Sequence, residues 1–216
     1  MSALTSKRTV RLLLAGLALV SCGVVIFMLK AKERPPVTPS HISQDDLRGL
    51  EQRAAAGDPV AQYGLTLYID DEKRVNELIK KAAKSGYPPA VVTYADRLIS
   101  QEKPEGLKAK GILEDVAKQG YFPAITLLAS CRENGECGLA SKEDALKWAA
   151  FARLLIVQKN SDKKKLYLYD VDNKSLESDK KNASEVEQRL RKELKSSEVD
   201  QAYAAAKSLI SQMPNM

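Results

Sequence analysis

The chain has 216 residues, of which 44% are apolar and 29% are charged, so it can bury one ordinary hydrophobic core but hardly two. Its net charge of +6 reflects 34 basic against 28 acidic residues, and three of the basic residues precede residue 12. The remaining charges are nearly balanced, which excludes the one-sided positive surface that nucleic-acid binding needs.

A long apolar segment near the amino end predicts a membrane anchor. Residues 12–29 (LLLAGLALVSCGVVIFML) carry no charge and follow a short basic tail, residues 1–11. As a helix they would extend about 27 Å, close to the roughly 30 Å hydrocarbon core of a bilayer. A cleaved secretory signal is the first alternative, although such signals usually have a shorter apolar run. A lipoprotein lipidated at Cys22 is the second, because residues 19–22 resemble a lipobox, but the apolar residues 23–29 oppose it.

A spacer and a helix start follow the predicted anchor. Residues 30–42 contain three prolines and many polar residues, which favours an extended linker. Ser43 and Asp46 then have the spacing of a capping box, in which the serine oxygen accepts from a free backbone amide. A folded domain is therefore predicted to begin at Ser43.

A turn centred on glycine occurs three times, as AGDPVA, SGYPPA and QGYFPA. Each copy has alanine four residues after the glycine and an apolar or aromatic residue eight residues after it. In chain order the members are Gly57, Ala61 and Leu65; Gly86, Ala90 and Tyr94; and Gly120, Ala124 and Leu128. Glycine can adopt the left-handed conformation that ends a helix, and alanine permits close approach of the next one. The repetition predicts a stack of antiparallel helix pairs.

Three segments resemble parts of the Sel-one-like repeats, which are relatives of the tetratricopeptide repeats. They are GDPVAQYGLTLY at 57–68, IKKAAKSG at 79–86 and GLASKEDALKWAA at 138–150. The resemblance covers residues 46–156 and implies an all-α fold, a short right-handed solenoid of helix pairs over residues 43–157. It also implies that Trp148 occupies a packing position in the core and that the groove of the solenoid binds a protein or peptide.

The two remaining cysteines, Cys131 and Cys137, have only five residues between them. Such a pair is a disulfide, a reducible pair of thiols or part of a metal site. His41 is the only histidine and no third cysteine lies nearby, so a four-ligand zinc site cannot be completed locally. We favour a disulfide, which places the domain in an oxidising compartment; two unpaired cysteines in a reducing one are the alternative.

The carboxyl end is predicted to close the stack. The last repeat helix lacks its terminating glycine, with Ile156 in that place, and is expected to continue beyond it. Residues 158–183 are polar and charged, which predicts a long loop. Residues 184–214 should form two capping helices that begin near capping boxes at Ser184 and Ser197.

No set of residues indicates catalysis, since the chain offers no Ser-His-Asp or Cys-His arrangement. We therefore expect a non-enzymatic protein that needs no cofactor and no metal. Its predicted place is the bacterial inner membrane, crossed once, with the carboxyl-terminal domain in the periplasm. There the concave face would bind a protein or peptide, as a scaffold or assembly factor of an envelope complex. The alternatives are a periplasmic enzyme acting on cell-wall peptides or antibiotics, and a lipoprotein adaptor.

Overall fold

The computed structural model describes residues 42–101, 104–162 and 173–213, which form nine α-helices and, within those ranges, no β-strand. The helices are α1 (Gln44–Ala55), α2 (Pro59–Leu65), α3 (Glu72–Lys84), α4 (Pro88–Ser100), α5 (Gly106–Ala117), α6 (Phe122–Asn134), α7 (Lys142–Asp162), α8 (Asn173–Glu193) and α9 (Ser196–Gln212). The prediction of an all-α fold is confirmed. The predicted anchor at 12–29, including Cys22, lies outside the described residues, and no helix within them is long and apolar enough to cross a membrane.

Acidic and hydroxyl side chains start the first three helices. The amide of Asp46 donates to Ser43 Oγ at 3.1 Å, and the Ser43 hydroxyl donates to the Asp46 carboxylate at 2.6 Å, so the predicted start of α1 is confirmed. Asp58 and Asp71 cap α2 and α3 in the same way, each accepting two backbone amides. These caps satisfy amides that have no partner inside the helix.

The three repeated turns join α1 to α2, α3 to α4 and α5 to α6. Their glycines, Gly57, Gly86 and Gly120, have φ of +92°, +78° and +85°, a conformation that other residues rarely adopt. The alanines four residues later are fully buried; they are Ala61, Ala90 and Ala124. Because each turn is only a few residues long, the two packed helices that it joins run in opposite directions.

Helices that follow one another pack against each other from α1 to α8, and α9 packs on α7. The main core lies among α4 to α9 and contains the large side chains of Phe122, Trp148 and Phe151. A smaller, separate cluster joins α1, α2 and α3; its buried members are Ala54, Ala61, Leu65 and Leu78. Packing between successive helix pairs is compatible with a helical repeat.

The carboxyl-terminal elements differ from the prediction in two ways. The predicted continuation of the last repeat helix past Ile156 is confirmed, but α7 extends to Asp162 and α8 already begins at Asn173, so the predicted loop 158–183 is wrong where it is described. Buried Leu176 and Ala183 lie seven residues apart on one face of α8, which explains why so polar a segment still packs as a helix.

Of the two predicted helix starts, the one near Ser184 is wrong and the one near Ser197 is confirmed to within one residue. Ser184 lies inside α8. Helix α9 begins at Ser196, and the amide of Lys195 donates to the Glu198 carboxylate at 2.7 Å.

Candidate functional site

A cleft of about 870 Å³ lies between α3, α4 and the start of α5, and we call it the α3–α4 groove. Polar side chains line most of it, and the helices present them at regular intervals. Six of them occupy equivalent positions on the two longer walls: Lys73, Asn76 and Lys80 on α3, and Tyr94, Arg97 and Gln101 at and after the second half of α4.

Both sets have the spacing i, i+3, i+7, which places their members on one face of each helix. The guanidinium of Arg97 donates to Asn76 Oδ1 and so connects the middle of the two walls. Because α3 and α4 run in opposite directions, this hydrogen bond brings Lys80 towards the Tyr94 end and Lys73 towards the Gln101 end. The groove is thus bordered along its length by matched polar rows.

Tyr94 is the position at which the second copy of the repeat departs from the other two. Leu65 and Leu128, the equivalent residues, are buried in the two cores. The side chain of Tyr94 is only partly buried and lines the groove, with Lys108 Nζ 5.8 Å from its ring centroid. A position that is fully buried in two repeats is therefore only partly buried in the third, where it packs against the main core and also lines a cleft.

The charges in the groove are only partly paired with one another. Lys108 Nζ lies 2.8 Å from a carboxylate oxygen of Glu105, and the hydrogen bonds from Lys108 and Gln101 hold the pKa of Glu105 below its usual value. The same contact raises the pKa of Lys108. In contrast, no ion pair joins Lys73, Lys80 or Arg97 to an acidic side chain in the described ranges. Within the described residues these three cations lie in no ion pair, although the charge of Lys80 also helps to lower the pKa of Glu105.

Two smaller clefts lack the matched polar rows and the cations outside ion pairs that the α3–α4 groove has. One, of about 380 Å³, lies between α6 and α8, and its Arg189 donates two hydrogen bonds to Glu133, at 2.9 and 2.7 Å. The other, of about 270 Å³, lies among α1, α2 and α3, where Arg74 lies 3.5 Å from Glu51. The arginines of both clefts are therefore already engaged by carboxylates.

The loop between α6 and α7 is held at several points. The sulfur atoms of Cys131 and Cys137 lie at disulfide-bonding distance, 2.14 Å, and both side chains are fully buried. Arg132 donates to the carbonyl oxygens of Cys137 at 3.0 Å and Leu139 at 2.8 Å, and to the Asp144 carboxylate at 2.6 Å. This loop is a rigid connection and contributes nothing to the groove.

A carboxyl group in the first turn of α7, just after this loop, has a shifted pKa. Burial of Asp144 raises its pKa, but hydrogen bonds and charge from Lys147 and Arg132 outweigh that effect and lower the pKa below the usual value. Asp144 therefore stays ionised at neutral pH and fastens α7 to Arg132 on α6.

The predicted packing residues lie in the core and the turns, away from the groove. Trp148 is only 1% exposed, and Lys147 Nζ lies 4.7 Å from its ring centroid. The sequence analysis did not identify the groove; the two i, i+3, i+7 rows and the departure at Tyr94 were the signals that could have pointed to it.

No protein-family model matches the chain, and no curated protein matches it at a significant level. In the part of the chain that the structure describes, no cluster of three or more His, Cys, Asp or Glu side chains is arranged to hold a metal ion.

Proposed function

We propose that this protein is a membrane-anchored scaffold built from Sel-one-like helical repeats, and that its periplasmic domain binds a protein or peptide through the α3–α4 groove. The observation that carries the proposal is the pair of matched polar rows bordering that groove, with three cations outside any ion pair of the described residues. The repeated turn and the order of packing support the repeat architecture.

The character of the groove favours a peptide over a small molecule. Small-molecule sites are mostly apolar clefts that bury most of the ligand. Among the described residues that line the groove, Leu98 is the only aliphatic side chain; the ring of Tyr94 and the alkyl stems of the lysines add apolar surface, and the heads of most lining side chains are charged or amide groups. A peptide segment supplies both the backbone polar groups and the side-chain charges that such a lining can bind.

Two features support the proposed location. The apolar segment 12–29 is long enough to span a bilayer as a helix. The geometry of Cys131 and Cys137 suits a disulfide, and disulfides persist in the bacterial periplasm but are rare in the cytosol. Together they favour a domain exported beyond the inner membrane and tethered to it.

Site-specific photo-crosslinking in intact membranes tests the binding role. A photoreactive amino acid replaces Tyr94 in the groove or, as a control, Lys207 on the exposed face of α9. We expect one defined protein to crosslink from position 94 and not from position 207, and we expect Arg97→Glu to abolish that product. Equal products from both positions would remove the groove from the proposal.

Thiol labelling tests the compartment separately. Protein extracted from cells under acid is denatured without reduction and treated with an alkylating reagent. We expect Cys131 and Cys137 to stay unlabelled until a reductant is added. Full labelling without reductant would contradict an oxidising location.

A further inference from the structure

We infer that the α3–α4 groove takes an extended, acidic peptide segment whose carboxylates are spaced three residues apart. This inference rests on the proposed function and specifies the chemistry of the partner. It follows from the charges of the groove, the distance between its lysines and the hydrogen-bonding groups between them.

Among its described lining residues the groove carries four cations, those of Lys73, Lys80, Arg97 and Lys108, against three carboxylates. Glu105 is paired with Lys108 at 2.8 Å. Glu77 also borders the neighbouring cleft among α1, α2 and α3, so it lies on the ridge between the two clefts. Glu72, in the first turn of α3, is the remaining acidic residue of the lining. Lys73, Lys80 and Arg97 together therefore favour an anionic ligand.

The spacing of the lysines selects the form of that ligand. Lys73 and Lys80 lie seven residues apart on α3, which corresponds to about 10.5 Å along the helix axis at 1.5 Å per residue. In a polyproline II segment, residues three apart lie on the same side and are separated by about 9 Å. In a β-strand, side chains on one face recur every second residue, at about 7 Å and then about 13 Å. The lysine spacing thus matches an extended polyproline II segment better than a strand.

The middle of the groove suits the backbone of such a segment. A polyproline II backbone makes no internal hydrogen bonds, so its carbonyls need donors from the binding surface. Arg97 carries several N–H donors there, one of which donates to Asn76 Oδ1 and fixes that side chain in place. The partly exposed ring of Tyr94 offers a surface for a proline of the segment, as aromatic rings do in proline-rich peptide recognition.

Binding of synthetic peptides to the full-length protein in detergent micelles tests the inference. The probe is a fluorescent nine-residue peptide, rich in proline and alanine, with glutamates at positions 3 and 6, and binding is followed by fluorescence anisotropy. Two matched peptides carry glutamine at both positions, or glutamates at positions 3 and 5. We expect the first peptide to bind about tenfold more tightly than the glutamine peptide, as two partly exposed charge pairs allow, and more tightly than the peptide with altered spacing.

Charge variants provide the matching test on the protein. Replacing Lys73→Glu together with Lys80→Glu should remove the preference for the glutamate peptide. Lys118→Glu with Lys207→Glu changes the net charge equally on exposed residues outside the groove and should leave the preference intact. Lys73→Gln with Lys80→Gln is a milder pair that reduces the preference without introducing repulsion. Circular dichroism checks that each variant stays folded.

The possible failures are distinguishable. Equal binding of the glutamate and glutamine peptides, or binding of none of them, overturns the acidic-segment inference, while crosslinking from position 94 still supports a groove that binds protein. Tighter binding of a single-stranded oligonucleotide of the same charge would show that the cations recognise phosphate and not a peptide. Loss of the crosslink together with the absence of peptide binding removes both proposals.

Discussion

The two ends of the described domain use the same kind of turn but have unequal cores. Around α1, α2 and α3 only four apolar residues are buried in a common cluster, beside a cleft of about 270 Å³. From α4 to α9 a continuous core encloses Phe122, Trp148 and Phe151, and Cys131 and Cys137 lie within it. Since each helix pair in a stack is stabilised mainly by its neighbours, the first end should open at lower cost than the rest.

The α3–α4 groove lies where these two parts meet. Its wall on α3 belongs to the weakly packed end, whereas α4 and α5 contribute to the main core. A ligand that bridges the two walls would therefore stabilise α3 in its place. Four sets of substitutions test this difference in stability between the two ends of the domain.

Removing a large side chain from each core should show the difference directly. Phe151→Ala leaves a cavity in the fully enclosed core and should lower the free energy of unfolding by about 3 to 5 kcal/mol, measured by urea denaturation. Leu78→Ala should cost about 2 kcal/mol, because Leu78 borders a cleft that already admits solvent. Hydrogen exchange of the second variant should accelerate in α1, α2 and α3 alone. Equal acceleration in every helix would show that the domain unfolds as one unit and would contradict the contrast.

A disulfide between Cys131 and Cys137 would lie in the main core, and its loss should destabilise that part of the domain. Replacing Cys131→Ala and Cys137→Ala together should lower the free energy of unfolding by about 2 to 4 kcal/mol, since a short loop gains entropy in the unfolded chain. Thermal denaturation of oxidised and reduced wild-type protein provides the same comparison without substitution. If reduction leaves the melting temperature unchanged, the pair does not cross-link the protein.

Two glycines of α5 should respond in opposite directions to the same change. An added methyl group on Gly106 would overlap the carbonyl oxygen of Glu136, so Gly106→Ala should lower the free energy of unfolding by about 1 to 3 kcal/mol. Nothing lies within 4 Å of the equivalent position on Gly111, and Gly111→Ala should raise it by about 0.5 to 1 kcal/mol through helix propensity. Urea midpoints measure both. Unchanged or raised stability of the Gly106 variant would indicate that α5 does not dock on the loop after α6.

Local patterns in the sequence were enough to predict the repeated turns and the start of α1. The glycine turns and the Ser43 cap depend on residues a few positions apart, and their chemistry permits few alternatives. The segment 158–183 shows the limit of composition, because Leu176 and Ala183 alone carry the buried face described there, among many charged residues. Helix α8 forms because the face with Leu176 and Ala183 packs against the main core. The sequence of the segment by itself does not show that this core surface exists.

The groove was harder to predict because it depends on helix placement. Asn76 and Arg97 meet although 20 residues separate them, and only the packing of α3 on α4 brings them together. The sequence analysis placed Tyr94 at the same repeat position as Leu65 and Leu128, and an aromatic ring at such a position fits either a core or a cleft. Membrane attachment, the repeat family and the partner stay predictions.

The smallest expected effect concerns a buried amide at the weak end. Gln62 is 6% exposed; its Nε2 donates to the carbonyl oxygen of Ala54 at 3.2 Å, but its Oε1 has no hydrogen-bond partner among the described residues. The Ala54 carbonyl also accepts from the amide of Gly57 at 3.1 Å, so it stays bonded when Gln62 is replaced. Gln62→Met keeps the volume and removes the unsatisfied acceptor.

The free energy of unfolding of the Gln62→Met variant should therefore differ from that of the wild type by less than about 1 kcal/mol. Gln62→Ala, the matched control, also removes packing atoms and should cost more, which urea denaturation of the pair will measure. A loss above about 2 kcal/mol in the methionine variant would mean that Oε1 has a partner in solution, such as an ordered water in the adjoining cleft. In that case a polar network stabilises α1, α2 and α3 in addition to their four-residue apolar cluster, and the difference in stability from the main core is smaller than the packing suggests.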